Sequence, residues 1–164
     1  MNIKQILSEI IRNEDVFALC KFFFNVEITE GQEQIIRNII FPSKKRVVIS
    51  AYTRYGKSYA VSMAVCIYIL LNEKKRINLI APTGDQTQIL RNYITGFIIE
   101  HEMLRSMVDL ALSMDTDRLK KEVSKKRITF KNGCELRVLS AQGSGDRLMG
   151  WGGDLIVLDE SCLV

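Results

Sequence analysis

The N-terminal forty residues carry apolar side chains at helical spacing. A first helix is predicted by residues three and four positions apart: Ile3, Ile6, Leu7, Ile10 and Ile11. A second is predicted by the cluster Val16, Phe17, Leu19, Cys20 and Phe23. Thr29 can cap a third, which should end before Pro42. We expect residues 1–27 to form a helical lead-in and residues 28–164 to form the main domain.

Strand-like and helix-like patterns alternate along the rest of the chain. The predicted strands are KKRVVIS at 44–50, the run RINLIAPT at 76–83 and DLIVLDE at 154–160. The predicted helices are the apolar stretch from Tyr59 to Leu71 and a longer segment from Asp85 to about Met107. Uninterrupted apolar strands alternating with helices are typical of a mostly parallel sheet that is covered on both faces. The sequence therefore predicts an α/β fold.

One segment departs from this alternation. KRITFKNGCELRVLS, residues 126–140, holds two alternating runs on either side of Asn132-Gly133. This dipeptide tolerates positive φ at both positions, so the segment predicts a β-hairpin with a type I′ turn.

Composition narrows the class of protein without naming its partner. A chain of 164 residues fits one domain and can bury about 70% of its unfolded surface. Hydrophobic residues make up 47% and prolines number two, which excludes a disordered or collagenous chain. The formal charge of +4 permits a polyanionic partner but does not establish one.

The cysteine spacing and the N-terminal sequence indicate the cellular compartment in which the chain is expected. The four cysteines form no C-x-x-C pair and His101 is the only histidine, which disfavours a zinc site or a disulfide framework. The N-terminus lacks the pattern of a secretion signal, and the longest apolar stretch spans 13 residues, from Tyr59 to Leu71. A cytoplasmic location is therefore the expectation.

The segment AYTRYGKS, residues 51–58, has the spacing of a phosphate-binding loop, with Ala51 in place of the first glycine. Backbone N–H groups of such a loop point at phosphates, and a glycine at position 56 lets the backbone approach closely. Lys57 would reach the β- and γ-phosphates, and the Ser58 hydroxyl would bind Mg²⁺. The predicted loop contacts to ATP also include Thr53 and Tyr55. The plain alternative is a lysine that happens to begin a helix.

The segment DLIVLDE supplies a second candidate group. Its apolar run would place Asp159 and Glu160 at the carboxyl edge of the sheet, where open α/β sheets bind ligands. Asp159 would bind Mg²⁺ and Glu160 would act as general base on the attacking water. The alternative is an ordinary solvated strand end.

Helper residues are predicted around this site. The amide of Gln32 matches the N6 and N7 edge of adenine, or it is a solvent-facing helix residue. Arg54 would stabilise charge on the γ-phosphate, or it is a surface arginine. Thr83 and Gln86 follow the second strand, in a loop that adjoins the nucleotide edge and would face a nucleic-acid track. The alternative is an ordinary turn with a helix cap at Thr83. The predicted catalytic residues are therefore Glu160, Arg54 and Lys57.

Two further segments are weaker candidates for contacts to a nucleic acid. Arg147 and Trp151 lie in the glycine-rich segment AQGSGDRLMGWGG, which would meet phosphate, DNA or a neighbouring subunit, or is a connecting loop. The densest basic cluster is a DNA contact or a solvated face; it comprises Lys120, Lys121, Lys125, Lys126 and Arg127.

From about Ile28 onward the chain resembles the N-terminal ATPase domain of phage large terminases, the motors that move double-stranded DNA into procapsids. ITEGQEQIIRNI resembles the family's adenine-binding segment and AYTRYGKS its variant Walker A loop. KNGCELRVLSAQGSGDRLMGWGGDLIVLDES resembles its hairpin, glycine and arginine loop and Walker B strand. Arg147 departs from the family pattern, because Leu148 follows it where the family often has glycine.

The resemblance implies a P-loop NTPase of the RecA-like type, a three-layer sandwich around a mostly parallel sheet. It implies ATP and Mg²⁺ as cofactors, with Gln32 at adenine, Arg54 at the γ-phosphate, and Lys57, Ser58, Asp159 and Glu160 in the roles given above. The implied partners are double-stranded DNA, the portal, the small terminase subunit and further copies of the chain, and the implied location is the host cytoplasm.

Only four residues follow Glu160, so the chain is expected to be a fragment truncated after the Walker B strand. Two alternatives stay open. A DEAD-type helicase has a similar loop and a similar D-E motif, although the sequence DESC and the arginine in the loop favour a terminase. A nucleotide-binding interaction module without turnover is the other alternative, and the presence of Glu160 argues against it.

Overall fold

The computed structural model describes residues 2–50, 55–108, 117, 127–141 and 152–159. These residues form six helices: α1 Ile3–Arg12, α2 Val16–Phe24, α3 Glu30–Ile40, α4 Lys57–Leu71, α5 Gly84–Glu100 and α6 Glu102–Met107. They also form four strands: β1 Arg76–Ala81, β2 Arg127–Thr129, β3 Glu135–Ser140 and β4 Leu155–Leu158.

The chain divides into two compact units, Met1–Tyr68 and Ile69–Val164. The division falls inside α4. Helices α1 and α2 occupy the predicted lead-in, and its boundary with a main domain after residue 27 stays a prediction.

None of the helices in the described ranges is long and apolar enough to cross a membrane.

In the first unit, the helix boundaries follow from capping. The Thr29 hydroxyl accepts a hydrogen bond from the backbone N–H of Gln32 (3.3 Å), and the Gln32 side-chain oxygen accepts one from the N–H of Thr29 (3.0 Å). This reciprocal pair satisfies two N–H groups that the helix itself leaves without acceptors. Helix α3 ends at Ile40, two residues before Pro42, as predicted.

Helix α4 is buried on nearly all sides. All residues from Ala60 to Ile67 are less than a tenth exposed, and so is Ile69. A helix that is apolar all round is typical of a protein interior, which agrees with the absence of polar residues other than Ser62 in this stretch.

The predicted strand at 44–50 is wrong for this structure. Residues 46–50 carry no strand assignment and are exposed, and Val48 is 94% exposed. A strand needs a neighbour to bond its backbone N–H and C=O groups, and among the described residues this segment pairs with none. The β-branched composition alone does not produce a strand here.

The second unit contains a four-stranded sheet in the order β2-β3-β1-β4. Strand β1 pairs in parallel with β3, where Leu79 lies opposite Val138, and in parallel with β4, where Leu79 lies opposite Val157. Strand β2 is antiparallel to β3. Helix α5 packs against β1 and β3. The predicted α/β class with a mostly parallel sheet is confirmed.

Strand β4 differs from the prediction of a strand covered on both faces. Leu155 and Val157 are partly buried, whereas Ile156 and Leu158 are 51% and 56% exposed. Side chains of a strand alternate between the two faces of the sheet. The face of β4 that carries Ile156 and Leu158 is therefore open in the described part of the chain.

The predicted hairpin forms, but its turn is not type I′. Gly133 has φ +81°, whereas Asn132 has no positive φ. The N–H of Gly133 bonds the carbonyl of Phe130 (2.8 Å), and the N–H of Phe130 bonds the carbonyl of Cys134 (2.9 Å). This is a three-residue loop closed by a left-handed glycine. The Asn132 amide instead donates to the carbonyls of Ile69 and Asn72, each at 2.7 Å.

The helix predicted from Asp85 to Met107 is interrupted. Helix α5 ends at Glu100 and α6 begins at Glu102, with His101 between them in an extended conformation (φ −112°, ψ 110°). The His101 ring stacks on that of Phe97, with ring centroids 6.1 Å apart. Burial lowers the pKa of His101, and the nearby Glu100 carboxylate opposes this effect.

Candidate functional site

Gly56 turns the chain into helix α4 at the described end of the predicted phosphate-binding loop. Gly56 has φ +78°, and its carbonyl accepts a hydrogen bond from the N–H of Ala60 (3.0 Å). The chain therefore turns at Gly56 and becomes helical at Lys57. Lys57 and Ser58 occupy the first turn and are partly buried. Backbone N–H groups of a first helical turn point out of its N-terminus, where the helix dipole favours an anion.

Gln32 lies directly against this turn. A methyl group added at Gly56 would come within 2.7 Å of the Gln32 side-chain nitrogen. Two features therefore require glycine at position 56: its positive φ and the close approach of the Gln32 amide. Two segments that are far apart in the sequence, one proposed to bind adenine and one proposed to bind phosphate, meet inside the first unit.

A second contact lies beside the first. A methyl group added at Gly31 would lie 1.9 Å from the Tyr55 hydroxyl oxygen and 2.4 Å from a ring carbon. The phenol is therefore seated on the backbone of the first turn of α3. Sequence reasoning missed Gly31. The available signal was a glycine placed inside a helical pattern, where it is unfavourable unless another group approaches closely.

In the second unit, polar side chains follow the ends of three parallel strands. Asp159 comes directly after β4; it is 9% exposed, and its N–H donates to the carbonyl of Ile80 (2.9 Å). The Ser140 hydroxyl, at the end of β3, donates to the carbonyl of Pro82 (3.4 Å). Since carboxyl ends of parallel strands share one edge, Asp159, Ser140 and Thr83 lie along the edge that open α/β sheets use for ligands.

Thr83 and Gln86 form the N-terminal cap of α5. The Thr83 hydroxyl accepts from the N–H of Gln86 (3.3 Å) and donates to its side-chain oxygen (3.0 Å). The interpretation of this pair as a helix cap is confirmed. A role toward a nucleotide or a nucleic acid stays a prediction.

The end of β3 is held by helix α5. Arg91 donates to the carbonyl of Val138 (3.0 Å), and the Thr87 hydroxyl donates to that of Leu139 (3.4 Å). Strand β2 pairs with β3 only as far as Arg137, so these side chains bond carbonyls that β2 does not reach. Burial lowers the pKa of Arg91, which nonetheless stays charged at neutral pH.

Several predicted site residues lie outside the described ranges: Thr53, Arg54, Glu160, Arg147, Trp151, Lys120, Lys121, Lys125 and Lys126. Their roles stay predictions. Of the basic cluster, Arg127 is described; it is exposed on β2 and forms an ion pair with Glu135 at 2.5 Å.

The side chains that could act as metal ligands indicate which metal ion would fit. Across the residues with described positions, no cluster of three or more His, Cys, Asp or Glu side chains forms a metal site. The candidates predicted from the motifs are a hydroxyl of the first unit, Ser58, and a carboxylate of the second unit, Asp159. Oxygen donors of this kind suit Mg²⁺, which takes few protein ligands and completes its shell with phosphate oxygens and water.

Two cysteines of the first unit are excluded as nucleophiles. Cys20 and Cys66 are buried. Burial raises the pKa of the Cys20 thiol to about 12, with a further contribution from the Glu33 carboxylate, and burial raises the pKa of Cys66 as well. The reactive form of cysteine is the thiolate, so neither residue supports covalent catalysis at neutral pH.

A scan against protein-family models and a search of curated proteins both gave no match to this chain. Its function is therefore proposed from its own residues, their geometry and the resemblance of its motifs.

Proposed function

We propose that the chain binds ATP with Mg²⁺ through the loop at 51–58 and is the ATPase part of a viral DNA-packaging motor of the large terminase type. In such a motor ATP hydrolysis drives translocation of double-stranded DNA. The contact between the Gln32 amide and Gly56 carries the nucleotide-binding part of this proposal, because it places the candidate base-recognising group next to the candidate phosphate-binding turn.

The phosphate half of the site is supported by α4. Its N-terminal turn offers N–H groups and a favourable dipole, and its first residue is a lysine. Lys57 would pair with the β- and γ-phosphates and the Ser58 hydroxyl would bind Mg²⁺, which neutralises charge on the phosphates. Thr53, Tyr55 and Gly56 complete the proposed loop contacts.

The base half is supported by α3. An amide side chain offers one acceptor and two donors, which matches the N6 and N7 edge of adenine. The Gln32 oxygen already accepts from the N–H of Thr29 (3.0 Å), and this bond orients the side chain while its nitrogen lies at Gly56. A fixed amide of this kind favours ATP over GTP.

Hydrolysis is proposed from residues after β4. Asp159 would help bind Mg²⁺, which is supported by its position at the carboxyl end of a parallel strand. Glu160 would activate water and Arg54 would stabilise the γ-phosphate; both assignments depend on the sequence motifs alone. Asp159 belongs to the second unit, so its proposed role also depends on the motif rather than on a measured distance to α4.

The wider context depends on the resemblance to terminases. The α/β class and mostly parallel sheet support a P-loop NTPase fold. Double-stranded DNA, the portal, the small terminase subunit, self-association and location in a host cytoplasm are proposed on the same basis.

The phosphate assignment is tested by titration calorimetry with a non-hydrolysable ATP analogue and Mg²⁺. Lys57→Ala should lower affinity by at least about tenfold, because each charge-assisted hydrogen bond contributes about 1.5 to 3 kcal/mol. Lys45→Ala is the matched control, since it removes the same charge from an exposed position outside the loop. Equal affinity of Lys57→Ala and the parent chain would refute the assignment.

A further inference from the structure

We infer that Tyr55 is a positioning residue whose ring, which lies on Gly31, holds Gly56 and the N-terminus of α4 against the first turn of α3. This inference depends on the proposed function and extends it. It assigns the coupling between base recognition and phosphate binding to one contact between a glycine and a tyrosine.

The geometry consists of two neighbouring contacts. Gly31 contacts Tyr55. The residues that follow them in the sequence, Gln32 and Gly56, contact each other as well. Because consecutive residues on both segments are engaged, a displacement of Tyr55 moves Gly56 relative to the Gln32 amide. The ring is bulky and has only two side-chain torsions, so its position constrains the backbone that carries it.

Nothing in the helical backbone of α3 requires glycine at position 31. Its φ is not positive, and it lies in the first turn of α3, where alanine is more favourable. A side chain at this position would collide with the Tyr55 hydroxyl and ring, so the tyrosine would have to move. Gly31→Ala therefore strengthens the helix while it displaces the tyrosine, which separates the two effects.

Breaking this contact should uncouple the two halves of the site. The N-terminus of α4 and Lys57 would still attract phosphate. Gln32 would no longer be held at the correct distance from the bound base, so preference for adenine would fall. A ligand without a base should be affected much less than ATP.

The experiment uses the 164-residue chain and titration calorimetry with three probes: a non-hydrolysable ATP analogue, the corresponding GTP analogue and inorganic tripolyphosphate. Gly31→Ala should weaken ATP binding by about tenfold through lost preorganisation and bring the ATP-to-GTP affinity ratio close to one. Tripolyphosphate affinity should change by no more than about twofold, since the helix N-terminus is retained.

Three further variants and a control distinguish positioning from damage to the fold. The methyl group that Gly31→Ala adds collides with the Tyr55 ring, and Tyr55→Ala removes that ring. The double variant, Gly31→Ala with Tyr55→Ala, should therefore bind ATP no more weakly than Tyr55→Ala alone. Tyr55→Phe keeps the ring and should fall between the parent and Tyr55→Ala. Gly96→Ala is the control, because a methyl group at Gly96 in α5 meets no atom within 4 Å; its ATP affinity should equal that of the parent.

The outcomes separate the two proposals. A parent chain that binds neither ATP nor tripolyphosphate would overturn the proposed function and this inference with it. A parent chain that binds ATP while Gly31→Ala shows the same affinity and the same base preference would overturn only the positioning role. Additive losses in the double variant would overturn it as well.

Discussion

Residues 46–50 and strand β4 have similar composition and different structures. Both are short β-branched apolar runs, and both were predicted to be strands of one sheet. Residues 155–158 pair with β1 in parallel register, whereas residues 46–50 have no strand assignment and Val48 is 94% exposed.

The difference lies in backbone partners. Strand β4 is anchored to β1 at both ends, by the Asp154 N–H to the carbonyl of Arg76 (2.8 Å) and by the Asp159 N–H to that of Ile80 (2.9 Å). The Asp154 carboxylate also accepts from the N–H of Arg76 at 2.8 Å, which lowers the pKa of Asp154. Apolar composition thus indicates which residues can be buried, and a partner strand decides whether they form a sheet.

The largest expected effect compares a paired strand with the unpaired run. Leu79, in β1, is fully buried and lies between β3 and β4, so Leu79→Ala should lower the free energy of unfolding by about 3 to 4 kcal/mol. Val48→Ala should change it by less than about 0.5 kcal/mol, because Val48 is exposed. Urea denaturation followed by circular dichroism measures both. Equal costs would show that residues 46–50 are packed as a strand.

An intermediate effect tests whether Cys20 and Cys66 are buried in the helical core of the first unit. The folded pKa of the Cys20 and Cys66 thiols is raised by burial, so above about pH 9 the unfolded chain loses these protons before the folded chain does. Unfolding free energy should therefore fall by about 1.4 kcal/mol per pH unit for each thiol. The fall begins above the unfolded thiol pKa and, for Cys20, continues toward pH 12.

The control for this pH dependence is a Cys20→Ala, Cys66→Ala variant. It has lower stability at neutral pH because two buried side chains are shortened. Its stability should nevertheless fall less steeply between pH 9 and 11 than that of the parent chain. Identical slopes would contradict burial of the two thiols.

The smallest expected effect concerns Ser62 in α4. Its hydroxyl is fully buried and makes no hydrogen bond within the described part of the structure. Ser62→Ala removes an unsatisfied polar group and should raise the unfolding free energy by about 1 kcal/mol. Ser8→Ala, at an exposed helix position, accounts for the gain in helix propensity that any such change brings. If Ser62→Ala stabilises no more than Ser8→Ala, the hydroxyl has a partner.

Periodicity and capping residues were sufficient for most elements of the fold. Thr29 and Pro42 correctly bounded α3, and the run at 155–158 correctly marked β4. Local pattern failed where the outcome depends on distant residues. The turn at Asn132 follows from its bonds to the carbonyls of Ile69 and Asn72, which no local signal contains.

The candidate site was predictable to a similar degree. Gly56 and Gln32 were identified from their motifs, and the structure brings them together. The contact between Gly31 and Tyr55 could not be predicted, because it depends on how two segments more than twenty residues apart meet. The order of motifs along a chain gives candidate residues, and only packing shows which of them touch.

The most direct test of the account is the ATP-to-GTP affinity ratio of Gln32→Ala, with Gln34→Ala as its control. Alanine at position 32 removes the acceptor for adenine N6–H, and guanine carries an acceptor in place of that N–H, so the ratio should fall by about tenfold. Gln34→Ala shortens the same kind of side chain at an exposed position of the same helix and should leave the ratio unchanged. A Gln32→Ala chain that retains the parent ratio would contradict base recognition by Gln32.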